Sequence, residues 1–146
     1  MSTDPPSADR LCLDAAGLNA FLRDAFPHAE RPDGVVLAVP GHVRIALEPD
    51  ASQLRPGGIV SGPTLMGLAD RAAYALVLAH IGPVAMAVTS SLNYQFLRAC
   101  SFRTVHADAR LLRLGRRLVV TDVRLWSDDE ATPVGQAAVT YALPAD

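Results

Sequence analysis

The sequence predicts an α+β fold in which a five- to six-stranded antiparallel sheet wraps one long apolar helix. Its 146 residues, half of them hydrophobic, suit one domain with one core. Residues 62–80 are so rich in Ala, Leu, Met and Val that a helix there must be buried on most of its surface. Long strand-like segments follow, separated by short turns, which is typical of an antiparallel sheet packed on a helix.

The N-terminal part of the chain predicts a tail and a short helix. Residues 1–10 are polar, contain two prolines and are expected to be frayed, which leaves residues 11–146 as a single domain. Residues 14–26 carry apolar side chains at helical spacing, and Pro27 lies just beyond them. Asp14 is suited to cap such a helix, so a short amphipathic helix is predicted here.

The strands are predicted from β-branched or alternating residues bounded by turn residues. Before the long helix, residues 50–62 contain three glycines and one proline and predict a loop. Because a sheet of this size has exposed edges, a dimer that pairs edge strands would remove two of them. The predicted strands are residues 34–39, 42–49, 84–97, 102–114, 117–127 and 132–143.

The composition excludes several classes of partner. The formal net charge is −2, all 13 basic residues are arginine and no basic stripe exists, which argues against nucleic-acid binding. The N-terminus lacks a secretory signal, and the longest unbroken apolar run, Ala72–Ala79, is too short to span a bilayer. Cys12 and Cys100 have no metal or redox spacing and are expected to be reduced thiols. We therefore expect a cytoplasmic protein with neither a membrane nor a nucleic-acid partner.

Motifs for metal binding, a hydrolase triad or a phosphate-binding loop are missing. No Ser lies in a Gly-x-Ser-x-Gly motif, and the glycine-rich residues 56–63 lack the Lys and Ser/Thr of a phosphate-binding loop. Four histidines lack metal-ligand spacing, so we expect no metal site and place these side chains at the surface or at strand edges. They are His28, His42, His80 and His106.

Asp70 is the most informative residue because it lies inside the apolar helix. The residue one turn further on is Tyr74 rather than a cation, and Arg71, which follows directly, does not share the face of Asp70. A carboxylate in such a helix must be neutralised, hydrogen-bonded or used, and perturbed carboxylates cluster at functional sites. Two interpretations stay open from the pattern alone: a functional carboxylate, or an acid at the helix edge that faces solvent or a backbone amide.

The segment RPGGIVSGPTLMGLAD, residues 55–70, resembles a motif of the phenylacetyl-CoA-type (PaaI-like) acyl-CoA thioesterases. That motif reads Asn-x-x-Gly-x-x-His-Gly-Gly, then six residues, then Asp or Glu. Residues 88–99 resemble the family's strand after the helix, residues 111–126 its Gly-Arg hairpin and residues 134–144 its closing strand. The resemblance covers residues 34–144 and implies the hotdog fold, in which a long antiparallel sheet wraps a central helix.

The resemblance implies catalytic functions for three residues. Asp70 falls on the family's catalytic carboxylate, and Gly62 falls on the first Gly of the motif, whose backbone N–H is an oxyanion-hole donor. Ser61 stands where the family has His, and it is also suited to be a helix N-cap without a chemical role. Asp70 would act as a general base on water or as a nucleophile, and in the resembled family this carboxylate works across the dimer interface.

Other motif positions are candidates for substrate contacts. Arg55 replaces the family's Asn, Gly58 matches its Gly, and Pro63 replaces its second Gly. A proline is favoured in the first turn of a helix, where its missing N–H would be unpaired anyway. One stripe of the helix would line an acyl tunnel or, alternatively, pack in the core: Pro63, Met66, Gly67, Asp70, Ala73, Tyr74 and Val77.

Polar residues beyond the helix complete the predicted site. Thr89, Ser90 and Asn93 would contact the attacking water or the pantetheine arm, or they are ordinary polar strand residues. Arginines at strand ends and in the hairpin would hold the phosphates of coenzyme A, since Arg grips phosphate with two hydrogen bonds, or they form a solvated rim. They are Arg98, Arg113, Arg116 and Arg117, with the pair beside Gly115 favoured.

The leading hypothesis is an acyl-CoA thioesterase that works as a homodimer or a dimer of dimers. It would hydrolyse a small or medium acyl or aryl thioester to the free acid and CoA, with CoA as part of the substrate and no separate cofactor. Because the motif His and Asn are missing, a non-catalytic hotdog protein that binds acyl-CoA or another apolar ligand is the alternative. A scaffold that only binds partners is the third hypothesis.

Overall fold

The structure is a computed structural model that describes residues 4–27 and 34–145. It confirms the predicted fold, with a short N-terminal helix, a long central helix and a six-stranded antiparallel sheet. The elements are α1 (Ala15–Ala25), β1 (Gly34–Val39), β2 (His42–Leu47), β3 (Leu54–Arg55), β4 (Ile59–Val60), α2 (Gly62–Ile81), β5 (Val88–Phe96), β6 (Val105–Leu114), β7 (Leu118–Trp126) and β8 (Gly135–Ala142). The order in the large sheet is β1-β2-β6-β7-β8-β5.

The helix α2 begins and ends where its sequence dictates. Ser61 is the N-cap, and its side chain accepts a hydrogen bond from the Thr64 N–H at 3.4 Å. Gly82 follows the last turn at φ +92°, a backbone conformation that favours glycine, and its N–H donates to the Leu78 carbonyl. In the part of the chain that the structure describes, neither helix is long and apolar enough to cross a membrane.

The alternation of side chains along each strand decides which residues face α2. On β6, the buried Val105, Ala107 and Ala109 pack against the helix, whereas the residues between them belong to the outer face. On β8, the same alternation buries Ala137, Val139 and Tyr141. Small alanines at these inward positions let the sheet approach the alanine-rich helix closely, and the hydroxyl of Tyr141 is thereby directed towards α2.

The edge strand β5 is the most exposed strand of the large sheet. It pairs with β8 on one side, and within residues 4–27 and 34–145 no strand pairs with its other side. None of its nine residues is fully buried, and Val88 and Phe96 at its two ends are 50% and 57% exposed. A long edge with unpaired backbone groups and apolar ends is a template for pairing with another strand.

The prediction of a plain loop over residues 50–62 is wrong. This segment holds a short 3-10 helix, Ala51–Gln53, and the strands β3 and β4, which pair antiparallel in a separate small sheet. Gly57 and Gly58 make the turn between them at φ +100° and +72°. Short strands joined by a tight turn carry too few residues to show a period, so the sequence pattern cannot distinguish them from a loop.

The predicted strand at residues 84–97 begins four residues too early, because β5 starts at Val88. Tight turns precede β5: the Val84 N–H donates to the Gly82 carbonyl, and the Ala87 N–H donates to the Val84 carbonyl.

The prediction that the histidines lie at the surface or at strand edges is wrong for His80. This residue is fully buried in the last turn of α2. Its Nε2 accepts a hydrogen bond from the Gly41 N–H at 3.0 Å, so its Nδ1 carries the hydrogen and donates to the Leu76 carbonyl at 2.9 Å. The turn between β1 and β2 covers this end of the helix, a contact that no local pattern reveals. His28 lies outside the described residues.

One carboxylate is buried on the outer face of the large sheet. Asp108 is 1% exposed, and its Oδ1 accepts from Arg44 Nε at 2.7 Å and lies 2.5 Å from His42 Nε2. Its Oδ2 accepts from the Trp126 indole N–H at 2.6 Å. Burial alone would raise the pKa of Asp108, but the hydrogen bonds from Arg44, Trp126 and His42 outweigh it and hold this pKa below its usual range.

Replacing Asp108 by Asn should remove a pH-dependent part of the stability. Because the pKa of Asp108 is lowered by folding, the carboxylate stabilises the fold fully above the ordinary Asp value of about 4 and less as the pH falls below it. Urea unfolding should therefore give a difference in unfolding free energy between wild type and Asp108→Asn that is largest near neutral pH and shrinks in acid. An equal difference at all pH values would contradict this account. The matched control is Asp24→Asn on the exposed side of α1.

Candidate active site

The carboxylate of Asp70 is held by side chains from two neighbouring strands. Its Oδ1 accepts hydrogen bonds from Thr89 Oγ1 on β5 and from the Tyr141 hydroxyl on β8, both at 2.7 Å. The same hydroxyl lies 3.2 Å from the Asp70 backbone carbonyl. No further hydrogen bond to this carboxylate comes from the described residues, so Oδ2 is left to receive a proton or a water molecule. The Asp70 carboxylate is therefore fixed in orientation without forming an ion pair.

The hydroxyl of Tyr141 is a permanent donor to Asp70. Burial, and in addition the Asp70 carboxylate, raise the pKa of Tyr141 far above its ordinary value, although the hydrogen bond with Thr89 acts in the opposite direction. The phenol is consequently protonated at neutral pH and donates to the carboxylate. A hydrogen bond to a charged acceptor contributes roughly 1.5–3 kcal/mol, enough to hold the carboxylate in one rotamer.

Asp70 opens onto a cavity of about 400 Å³, here termed the Asp70 cavity. Its aromatic walls are mutually packed: the rings of Tyr74 and Tyr141 lie 5.7 Å apart, and Phe26 meets Tyr74 edge-on at 6.1 Å. The Tyr74 hydroxyl donates to the Ala85 carbonyl at 3.1 Å, which fixes that ring. The cavity thus presents one carboxylate and one arginine, Arg71, in otherwise largely apolar surroundings. It is lined by Phe26, Asp70, Arg71, Tyr74, Ala85, Ala87, Val88, Thr89 and Tyr141.

The N-terminus of α2 offers a backbone donor at Gly62. As the first residue of the helix, Gly62 has no carbonyl four residues back within the helix to receive its N–H. Ser61 caps the following turn instead, and its hydroxyl also lies 2.7 Å from that of Thr64. A Cβ at position 62 would come within 3.2 Å of the Phe96 ring, so a larger residue here would crowd that ring.

A second cavity of about 560 Å³, here termed the Gly62 cavity, lies at this helix end. Arg55 and Arg98 belong to its lining, so cations stand close to an N–H of a helix N-terminus, a combination that favours anions. Cys100 also lines it, but burial raises the pKa of this thiol and makes it a poor nucleophile. The other lining residues are Ile59, Val60, Gly62, Pro63, Leu65, Phe96, Leu97 and Ala99.

The two cavities lie at opposite ends of β5. Val88 and Thr89 at the start of the strand line the Asp70 cavity, whereas Phe96 at its end lines the Gly62 cavity. Eight residues separate Asp70 from Gly62 on α2, a rise of about 12 Å along the helix axis. A carbonyl oxygen bonded to the Gly62 N–H would therefore leave its carbon out of reach of direct attack by Asp70 of the same chain.

Residues 57–134 match the thioesterase superfamily, a span that runs from the turn before β4 to the start of β8. The chain belongs to this superfamily. A search of the curated proteins found no match.

Solved structures support the assignment to the thioesterase superfamily. A protein of Silicibacter sp. TM1040, provisionally named a thioesterase, is 39% identical, with 95% of this chain and 97% of that chain covered and a TM-score of 0.86. A thioesterase of Haemophilus influenzae shares the fold at 16% identity, with 94% and 95% covered and a TM-score of 0.79. A Streptococcus mutans protein bound to acetyl-CoA shares it at 21% identity, with 82% and 94% covered and a TM-score of 0.69.

The helix stripe that would line an acyl tunnel or pack in the core divides between these two interpretations in the structure. Pro63 lines the Gly62 cavity, and Asp70 and Tyr74 line the Asp70 cavity. Ala73 and Val77 are fully buried under the sheet, so they belong to the core. Met66 is 38% exposed and lines neither cavity, and Gly67 lies beneath the Arg71 guanidinium, which would be 3.1 Å from a Cβ there.

The strand β5 places only one of its three predicted contact residues at a cavity. Thr89 reaches Asp70, but a register shift between Thr89 and Ser91 leaves Ser90 directed at the sheet, where its hydroxyl donates to the Thr140 carbonyl at 3.4 Å. Asn93 alternates with the core-packed Leu92 and Tyr94, so it lies on the outer face and accepts from Gln95. Neither Ser90 nor Asn93 lines either cavity within a single chain.

The predicted phosphate-binding arginines fall into two groups. Arg98 lines the Gly62 cavity and donates to the Pro133 carbonyl at 2.6 Å. Arg116 and Arg117 instead line a separate cavity of about 350 Å³ at the tip of the β6–β7 hairpin, together with Arg113.

Gly58 is exposed in the β3–β4 turn and lines none of these cavities. Among the described residues, no group of three or more His, Cys, Asp or Glu side chains is placed to bind a metal ion.

Tyr141, Phe26 and Phe96 are the site residues that the sequence did not single out. The alternation in the closing strand puts Tyr141 on the same face as Val139 and Ala137, which was a usable signal for an inward position. That it meets Asp70 follows from the pairing of β8 with β5 and the placement of α2 across both. Phe26 and Phe96 reach the cavities from segments remote in sequence, and no local signal exists for them.

Tyrosine titration tests the burial of these hydroxyls. The chain has three tyrosines, and burial raises the pKa of Tyr74, Tyr94 and Tyr141. The folded protein should therefore show less phenolate absorbance at a pH of about 10 than the urea-unfolded chain, which is half ionised there. Because folding raises these pKa values, the contribution of the tyrosines to stability should be constant below a pH of about 10 and fall above it. Ordinary titration of any tyrosine in the folded protein would contradict the described packing.

Proposed function

We propose that this protein hydrolyses acyl-CoA thioesters to a free acid and CoA in a site shared by two copies of the chain. The observation that carries the proposal is the oriented carboxylate of Asp70 at one end of β5 and the unpaired N–H of Gly62 at the other end. Each is half of the machinery for acyl transfer: a base or nucleophile and an oxyanion donor. The proposal also assigns the protein to the PaaI-like thioesterases within the superfamily.

Asp70 supplies the attack on the thioester. Thr89 and Tyr141 occupy Oδ1, so Oδ2 is the oxygen that takes a proton from water or attacks the carbonyl carbon itself. In the first route a hydroxide adds to the carbonyl carbon, the thiolate of CoA leaves, and the proton held by Asp70 passes to the thiolate sulfur. The largely apolar surroundings of the Asp70 cavity strengthen these charge interactions.

Gly62 supplies stabilisation of the developing oxyanion. Its N–H lies at the positive end of α2, and glycine has no side chain of its own that would shield this N–H. One donor of this kind typically contributes about 2.7–4 kcal/mol to lowering the barrier. The hydroxyl of Ser61 is engaged in capping the helix, so a cap without a chemical role is the function we assign to it.

Self-pairing of β5 brings the two halves together. A two-fold axis through Leu92, the middle residue of β5, would pair the strand antiparallel with its copy and set Val88 opposite Phe96 of the partner. The Asp70 cavity of one chain would then adjoin the Gly62 cavity of the other, and the exposed apolar ends of β5 would be covered. A homodimer is accordingly the smallest active unit, and a dimer of dimers would contain two such units.

The charges divide the joint site into an acyl end and a nucleotide end. The Asp70 cavity has mainly aromatic and aliphatic walls with one arginine, Arg71, whereas the Gly62 cavity has two arginines, Arg55 and Arg98, beside the N-terminus of α2. The phosphates of CoA would bind at the arginines, and the acyl group would enter the Asp70 cavity. Acetyl-CoA bound to the Streptococcus mutans protein and CoA bound to a Streptococcus pneumoniae protein of the same fold support CoA as the carrier.

Replacing Asp70 by Asn should lower thioester hydrolysis at least about tenfold while the fold is kept, because the amide cannot accept the proton. Release of free CoA thiol from a panel of short, aromatic and long acyl-CoAs measures it. Tyr141→Phe should lower the turnover number less, because Thr89 still holds Oδ1. The control is Asp122→Asn, a carboxylate bound by Gln136 and remote from both cavities.

Unchanged turnover in Asp70→Asn would refute the catalytic role of this carboxylate. Calorimetric binding of acyl-CoA by wild type without any thiol release would favour the non-catalytic alternative.

Subunit complementation should distinguish a shared site from one within a single chain. Asp70→Asn alone and Gly62→Pro alone, the latter without the N–H, should each keep about a tenth of wild-type activity or less. A heterodimer of the two has one complete site if Asp70 and Gly62 come from different chains, and none if they come from the same chain. Random mixing of equal amounts should therefore restore about a quarter of wild-type activity. If Gly62→Pro fails to fold, Gly62→Val replaces it, since its side chain would fill the space beside Phe96. If a proven heterodimer regains no activity, the shared site is excluded.

A further inference from the structure

The helix α1 lies outside the span that matches the superfamily, yet it contributes to the Asp70 cavity. The match begins at residue 57, and α1 ends at Ala25. Phe26 directly follows as its C-cap and lines the cavity beside Tyr74. This wall of the cavity therefore comes from a part of the chain that the superfamily match does not include.

The position of Phe26 is fixed by contacts of α1. Leu18 is fully buried in the core, and the Asn19 side chain accepts from the Val35 N–H at 2.8 Å and donates to the Val35 carbonyl at 3.0 Å. The Phe26 N–H donates to the Leu22 carbonyl at 3.0 Å. A helix tied to the first strand in this way holds its last aromatic ring at one place against the cavity.

The residues that line the Asp70 cavity differ in how many other contacts a substitution would break. The rings of Tyr74 and Tyr141 are held by hydroxyl hydrogen bonds to the Ala85 carbonyl and to Asp70. Ala85 and Ala87 are small. Phe26 is a large, half-exposed side chain without a polar group, and its edge-on contact with Tyr74 places its ring in the cavity wall on the side of α1.

We infer that Phe26 limits the length of the acyl group, so that the N-terminal helix is the specificity element of this thioesterase. The inference rests on the proposed function, which places the acyl group in the Asp70 cavity. An acyl chain that starts at Asp70 and runs along Tyr74 meets the Phe26 ring. A smaller residue there opens the cavity towards α1, and a larger one shortens it.

Chain-length profiles of three variants test the inference. Values of kcat/KM are measured with straight-chain acyl-CoAs of about 2 to 12 carbons, since one methylene in a pocket changes specificity by roughly tenfold or more. Phe26→Ala should move the optimum to longer chains and raise the ratio of long-chain to short-chain kcat/KM at least about tenfold. Phe26→Trp should move it to shorter chains. The matched control is Phe102→Ala, a phenylalanine that is 44% exposed and lines neither cavity.

The outcomes separate this inference from the proposed function. If wild type hydrolyses the series and both Phe26 variants keep its profile, or if Phe102→Ala shifts it equally, the inference is wrong and the thioesterase proposal stands. Binding of non-hydrolysable acyl-CoA thioethers to each variant in the Asp70→Asn background gives the same comparison without turnover. If wild type neither hydrolyses nor binds any member, the proposed function fails and the inference fails with it.

Discussion

Nine consecutive buried residues, 72–80, leave α2 few places where a polar group can stand. The inward alanines of the sheet and of the helix fit against each other, so this contact cannot admit a charge without a partner. Polar chemistry on α2 is thereby restricted to its N-terminal half. His80, the one imidazole in the buried run, is accommodated because a helix carbonyl and a turn N–H satisfy both of its ring nitrogens.

Asp70 stands two positions before this buried run, where a carboxylate can still be solvated and bonded. Ala69 is fully buried, Arg71 is exposed, and Asp70 itself is partly exposed. Two strands meet there, and each supplies one hydroxyl to the same oxygen. A carboxylate bonded in this way is oriented without an ion pair, which separates it from the structural carboxylate Asp108, whose two oxygens take three donors.

The second constraint is the open edge at β5. The strand carries unpaired backbone groups and apolar ends, and each end borders a different cavity. One cavity contributes a carboxylate and apolar walls, and the other contributes a helix N-terminus and arginines. Since the two are complementary in chemistry and separated within one chain, the arrangement supports a site completed by a second copy. The same edge would then serve both assembly and catalysis.

Local patterns in the sequence determined the elements and their boundaries near caps. The apolar composition of residues 62–80, with Ser61 before them and Gly82 after, sufficed to predict α2, and the alternating strands sufficed to predict an antiparallel sheet. The motif at residues 55–70 also placed Asp70 and Gly62 on one helix. These features depend on neighbours within a few residues, so periodicity and capping rules reach them.

Only the tertiary structure decided which side chains meet. Tyr141 and Asp70 are 71 positions apart, and their hydrogen bond depends on the register of β8 against β5 and on where α2 crosses both. The burial of His80 under the β1–β2 turn and the outward direction of Asn93 were decided in the same way. A local pattern states the face on which a side chain lies, but it does not state its partner, because partners are chosen by pairing between distant segments of the chain.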